Sequence, residues 1–259
     1  MAGIQYGNAY LPITAVTANP AEATAFPKTN MVNSEFPLLP CRSTVITQQD
    51  FVFALGSAVT GTVFIQILDT NYTSVQLASG TSATSTDASF NADNLAATIA
   101  RWLYNGRYSL FVSKAITAKT HIRLRILAQT PVDNAAYFST GAVHVLSAIT
   151  TFTLLGGPFA PMPLRTRQKY YGTGSAVRPR TDFYIEMDWS AKWLNAADLP
   201  LWQAVALLGD HTTFSVFLNL GNSQESALFR TRGNADYAIT GVLADAVLHL
   251  VEYIGPELT

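Results

Sequence analysis

The chain has 259 residues and a mass of 28.0 kDa, with 16 Lys and Arg against 17 Asp and Glu and only 13% charged residues. That balance excludes a disordered charged tail and a uniformly basic nucleic-acid binder. At 49% hydrophobic, with four Trp, eleven Tyr and fourteen Phe, the chain can bury a large core, and its length suits one large β domain.

Residues 1–43 carry Pro12, Pro20, Pro27, Pro37 and Pro40 among Ala, Thr and Asn, a composition that blocks helices. They also hold Ile4, Tyr6, Tyr10, Leu11, Phe26, Phe36, Leu38 and Leu39, more apolar anchoring than a free linker keeps. Two readings stand: an extended N-terminal arm lying along its own or a neighbouring subunit, or a strand-poor edge of the same domain. The first is adopted, with residues 44–259 as the folded domain. The leading residues Met1-Ala-Gly-Ile-Gln-Tyr have neither a basic nor an apolar leader region, so no secretory leader is expected. No stretch reaches the roughly 18 uninterrupted apolar residues of a membrane span.

From Thr44 the chain turns to runs rich in β-branched and aromatic residues: Thr44–Leu55, Gly61–Leu68, Tyr108–Ser113, His121–Ala128, Ala142–Leu155, Phe183–Trp189, Thr213–Leu220 and Tyr237–Tyr253. Turn residues separate them, the spacing of an antiparallel sandwich and not of βαβ units. Ser79–Asp87 reads as an exposed loop, and Tyr170–Ser175 as a second. Two short helices are predicted. In Ala92–Leu103, Leu95, Ile99 and Leu103 recur every four residues; in Leu199–Leu208, Pro200 sits in the first turn and Gly209 just past the end. The last run fits both periods and is assigned as strand. The fold class is therefore an all-β, antiparallel, jelly-roll-like β-sandwich with two short helices and an extended N-terminal arm.

Charge is unevenly distributed. Residues 101–180 hold eleven Lys and Arg against Asp133 alone, whereas residues 181–259 hold three against ten carboxylates. His121, Arg123 and Arg125 alternate with Ile122, Leu124 and Ile126, which puts the basic side chains on one strand face. Arg165, Arg167 and Lys169 repeat the spacing, with Arg178 and Arg180 close behind. Such rows could meet phosphates, adding salt-dependent affinity. Alternatively they pair with Asp182, Glu186 and Asp188 as a cross-strand ladder worth a few tenths to roughly 1 kcal/mol per pair, or with neighbouring subunits. Both readings remain open from sequence.

No motif names a reaction. Cys41 is the only cysteine, which excludes an internal disulfide framework and a Cys-based zinc site. His121, His144, His211 and His249 show no local metal-binding spacing, so each reads as a surface or satisfied core residue. Gly172-Thr-Gly-Ser175 and Leu154-Leu-Gly-Gly-Pro158 lack the Lys-Ser/Thr of a phosphate loop, and no Gly-x-Ser-x-Gly elbow occurs. No enzyme activity, cofactor or metal is expected.

The stretch Trp102–Pro131, in which Tyr104, Gly106, Lys119, Thr120, His121, Arg123, Leu124 and Pro131 follow in order, resembles the central strands of picorna-like virus jelly-roll capsid proteins. Gly61–Asp69 would be the preceding strand and Phe183–Ser190 a later one. The resemblance implies a self-assembling capsid subunit of a small icosahedral virus. Its location would be the virion and its partners copies of itself, other virion proteins and, without sequence specificity, genomic nucleic acid. The contacts would come from Arg123, Arg125, Arg165, Arg167, Lys169, Arg178 and Arg180, with no role at a membrane. Met1 as an initiator points to a separately encoded phage head or tail component as the alternative. A second alternative is a ligand- or carbohydrate-binding β-sandwich module.

Overall fold

The computed structural model describes residues 4–33, 37–86, 88–101, 107–152, 160–161, 165–171, 178–184, 186–195, 199–208, 212–219, 224–231, 236–240 and 243–252. The first half supplies strands β1 (Ile4–Gly7), β2 (Ile13–Asn19), β3 (Cys41–Arg42), β4 (Gln49–Thr70), β5 (Ser74–Gly80), β6 (Leu95–Thr98), β7 (Ala100–Arg101), β8 (Tyr108–Ile126), β9 (Ser139–Thr140) and β10 (Val143–Leu146). The second supplies β11 (Thr150–Phe152), β12 (Ala160–Pro161), β13 (Arg165–Tyr171), β14 (Arg178–Tyr184), β15 (Glu186–Asn195), β16 (Phe214–Asn219), β17 (Gln224–Thr231), β18 (Asp236–Thr240) and β19 (Leu243–Glu252). Two short helices, α1 (Ala88–Asn91) and α2 (Leu199–Ala206), and a 3-10 turn at Lys28–Val32 complete the described elements.

The protein is an antiparallel β-sandwich. One sheet runs β3-β9-β4-β8-β5-β6, with β2, β7 and β10 attached; the other runs β11-β1-β16-β17-β19-β15-β12, with β18 on β19. β13 and β14 form a separate two-stranded ladder. The spine is β4 against β8, in register from Gln49↔Ile126 to Thr70↔Tyr108. Each strand absorbs two of the separately predicted runs, because bulges at Ala54–Gly61 bend the pair without ending it. On the other edge β4 takes β2 along Asp50–Leu55 and β10 along Phe64–Ile67. Phe51, Phe53, Leu55, Val63, Ile65 and Ile67 alternate into the main core, meeting Ile122, Leu124 and Ile126 of β8 together with Met31, Tyr72 and Phe138. Period two thus sets which side of the spine is the core.

The second face of the spine is covered in two ways. At one end Phe90 of α1 packs on Val52 and Ala78, fitting against Gly80, where a Cβ would stand 2.7 Å from the Phe90 ring. At the other end the second sheet closes over it: Leu68, Ala142 and Leu228 cluster, Ser215 bonds Gln66, and Arg107 pairs with Glu252 at 2.7 Å.

The region expected as an arm places β1 between β11 and β16 and lays β2 along β4. The helix predicted over Ala92–Leu103 is instead β6 and β7 as far as residue 101, and residues 102–103 lie outside the described residues. The difference has a simple origin. Residues four apart share a face of a strand as well as of a helix, and Leu95, Ala97 and Ile99 point inward while Ala96 and Thr98 are exposed. The unpaired edge of β5 takes this segment in register Ser74↔Thr98 to Leu77↔Leu95. The other predicted helix is α2, and the ambiguous C-terminal run is the hairpin β18–β19.

Asp50, 2% exposed, receives Arg125 in a fork, Nε to Oδ1 and Nη2 to Oδ2, both at 2.8 Å. Removing one partner leaves the other charge enclosed. Asp50→Ala should therefore lower the unfolding free energy by about 3 kcal/mol in urea titrations, and adding Arg125→Met should restore at least half of the loss.

Candidate functional site

Of the seven basic residues singled out from sequence, Arg123 is wholly buried. Its Nη1 donates to Ser85 O at 2.6 Å and Asn91 Oδ1 at 3.1 Å, its Nη2 to Asn94 Oδ1 at 2.8 Å, and its Cζ lies 5.1 Å from the Phe90 centroid. Arg125 is committed to Asp50. Ser85, in the Ser79–Asp87 stretch expected as an exposed loop, together with Phe90, Asn91 and Asn94 covers the face of β8 at Arg123. Arg165, Arg167 and Lys169 lie on β13 and Arg178 and Arg180 on β14, in a ladder that shares no strand pairing with β8. Its register opposes Arg167 to Asp182 but Lys169 to Arg180. Glu186 and Asp188 belong to β15, which pairs with β19 in register Glu186↔Val251 and Asp188↔His249. The expected acid–base ladder thus contracts to one opposed pair.

The structure brings together a different set of residues. The link between β1 and β2 crosses β10, held by Leu11 N–H to Val145 O at 2.7 Å and Ser147 N–H to Ala9 O at 2.9 Å. Where it meets the start of β16 there is a cleft of about 450 Å³ lined by Asn8, Tyr10, Leu11, Val143, His144 and Thr213, among others. Its volume falls in the range of small-ligand sites.

The wall of the cleft is a polar relay. Gln66 Oε1 accepts from Ser215 Oγ–H at 2.7 Å and lies 3.1 Å from His144 Nδ1, which donates to it in this amide orientation, while Gln66 Nε2 is enclosed without a hydrogen-bond partner. With the Ser215 proton committed there, the Tyr10 hydroxyl donates to Ser215 Oγ at 3.0 Å. The Tyr10 and His144 rings stand 5.2 Å apart, tilted by 54°. Burial pushes the Tyr10 hydroxyl up to about 12 and the His144 imidazole down to about 4, so both are neutral at pH 7. In that arrangement the neutral ring carries its proton on Nδ1 and presents Nε2 as an acceptor. Asn8, Thr212 and Thr213 add amide and hydroxyl groups at the rim, over apolar Leu11, Ile13, Val32, Val143 and Val145.

Among the described residues lining the cleft there is no carboxylate, lysine or cysteine. Cys41 is buried, and burial raises its thiol to about 12. Among the described residues no group of His, Cys, Asp and Glu could hold a metal ion, and no helix is long and apolar enough to cross a membrane. Sequence reasoning missed the cleft because its parts are far apart in the chain. The one local signal was His144 standing between two core valines.

No family model matches the chain, and no curated protein matches it. Solved structures match over about half of it. The CBM32 of AlyQ in complex with 4,5-unsaturated mannuronic acid is 17% identical, with a TM-score of 0.37, over 54% of this chain and 100% of that one. Chitosan-binding module 1 from the chitosanase/glucanase of Paenibacillus sp. IK-5 is 14% identical, with a TM-score of 0.38, over 54% and 98%. A chain in the complex of reduced XRCC1 with the DNA pol beta catalytic domain is 11% identical, with a TM-score of 0.41, over 54% and 99%. The likeness is one of β-sandwich fold. Two of these three are carbohydrate-binding modules by name and none is a capsid protein, which stands against the expectation of a self-assembling virion subunit with virion proteins and genome as partners. Within the chain, Arg123 and Arg125, two of the residues meant for those partners, are engaged internally.

The neutral His144 has a consequence for stability. The unfolded chain takes up this proton near pH 6.5, the folded chain only near 4. The stabilisation is present above pH 6.5 and is lost as pH falls toward 4. Between pH 7 and pH 5 the unfolding free energy from urea titrations should drop, and His144→Asn should diminish that drop by about 1–2 kcal/mol.

Proposed function

We propose that the chain is a non-catalytic ligand-binding β-sandwich module whose cleft takes a neutral, hydroxylated ligand of the carbohydrate class. The observation that carries this reading is the cleft wall itself: two aromatic rings fixed by hydrogen bonds to Gln66 and Ser215, with an imidazole acceptor. A sugar presents hydroxyl donors and an apolar C–H face. The first suit His144 Nε2, Asn8, Thr212 and Thr213; the second suits the Tyr10 ring and the valine floor. Every polar group there is neutral at pH 7, which favours hydrogen bonding over proton transfer and supports a binding role without turnover. Because the relay is already formed, the wall needs little reorganisation on binding.

Calorimetric titration of the full chain with a panel of neutral mono- and oligosaccharides tests the reading. At least one should bind, and Asn8→Ala or Thr212→Ala should weaken it by about 3–10-fold, one hydrogen bond's worth, with the melting temperature unchanged. Absence of binding across the panel at millimolar concentrations, or binding that ignores both substitutions, would overturn it.

A further inference from the structure

Three arginines of the sandwich interior are matched by oxygen: Arg107 by Glu252, Arg125 by Asp50, and Arg123 by Ser85, Asn91 and Asn94. Arg42 is built differently. Its Cζ lies 3.7 Å from the centroid of the Phe26 ring and 4.4 Å from that of Tyr137. Like that of Arg123, its Nε is enclosed without a hydrogen-bond partner; unlike Arg123, its terminal nitrogens meet no oxygen among the described residues, and it makes no ion pair with them. The carboxylate brought nearest by backbone pairing, Glu22 opposite Ser43, is neutralised by Lys28 Nζ at 2.7 Å.

The backbone holds this arrangement on three sides. Arg42 N–H donates to Phe26 O at 3.1 Å, Ala23 N–H donates to Arg42 O at 2.8 Å, and β3 pairs with β9 in register Arg42↔Ser139, two residues from Tyr137. The Phe26 turn is closed by its own N–H to Ala23 O at 2.9 Å. Cation and rings are therefore positioned before any ligand arrives.

We infer that Arg42, held against Phe26 and Tyr137, is a binding site for an oxyanion group of a ligand: a carboxylate, sulfate or phosphate. A guanidinium lying on ring faces keeps its in-plane edge for acceptors; with Nε enclosed, that edge is the one between Nη1 and Nη2, which matches the two oxygens of an oxyanion in a coplanar fork. Ring contact also strips water from the cation, which strengthens the charge-assisted bonds it can still form. Lysine could not substitute, since a point charge lacks the fork and the flat surface that the rings grip. The site uses none of the residues lining the Tyr10–His144 cleft, so its fate is separate from that of the saccharide reading.

Arginine Nε–Hε correlation spectra of the full chain test the inference, with the Arg42 signal assigned by its absence in Arg42→Lys. Sodium sulfate, sodium phosphate and sodium glucuronate are each titrated against sodium chloride at matched ionic strength. The expected result is a saturable shift of the Arg42 signal with at least one oxyanion and not with chloride, unchanged by Asn8→Ala. Arg42→Lys should weaken the same anion at least fivefold by calorimetry, and Tyr137→Leu should weaken it as well. The three anions distinguish a sulfate ester, a phosphate and a uronate as the natural group. An Arg42 signal that moves with none of them, or that moves equally with chloride, overturns the inference. Sequential assignment of the wild-type chain identifies the Arg42 signal independently, so the wild-type titrations discriminate between these outcomes even where a substituted chain fails to fold.

Discussion

The pairing of β4 with β8 is the constraint from which the rest of the structure follows. Both strands are long, and both are buried on two faces over much of their length, so every backbone donor and acceptor along them needs a ladder partner. β8 satisfies one edge of β4, while β2, β9 and β10 share the other. The bend that lets one strand serve partners in two directions is concentrated at Ala54–Gly61, where exposed small and polar residues, including Gly61 at φ +122°, interrupt the apolar alternation. A continuous apolar run would have left the ribbon straight and its ends without separate partners.

Two-sided burial also explains how the cations are handled. Period two sends Ile122, Leu124 and Ile126 to the core and Arg123 and Arg125 to the opposite face. That face is not solvent. Arg123 draws the 81–94 segment over itself through one backbone carbonyl and two asparagine side chains, while Phe90 covers what remains. Arg125 finds its counter-charge directly across the ladder, since Asp50 is its register partner on β4. A row of basic residues that would steer an anion if exposed acts here as the anchor for a covering loop.

Where the two sheets meet, the same economy of partners shapes the candidate site. Gln66 on β4 and Ser215 on β16 belong to different sheets and bond each other at 2.7 Å, and the relay extends outward from that buried bond to Tyr10 and His144. The cleft is therefore as rigid as the junction between the sheets. The relay is neutral throughout, whereas the Arg42 cluster on the β3–β9 side offers a charge. The two proposed sites thus differ in chemistry, one offering neutral hydrogen-bonding groups and the other a cation.

Much of this was legible in the sequence, because period-two alternation and turn residues are local and determine strands wherever they stand. The all-β class, α2, the C-terminal strands and the inward face of β8 were all readable from that pattern. The helix assigned to Ala92–Leu103 failed because Leu95 and Ile99, four residues apart, satisfy both periods, and only the open edge of β5 decided between them. Whether Arg123 faced solvent was likewise undecidable locally, since alternation tells which residues share a face but not what lies over it. The Tyr10–His144 cleft was beyond reach altogether: Tyr10 and Ser215 are 205 residues apart, and Gln66 and Ser215 149. Chain-local spacing determined the strands and their sidedness; the packing of one sheet on the other decided which polar side chains became buried ties and which were left to meet a ligand.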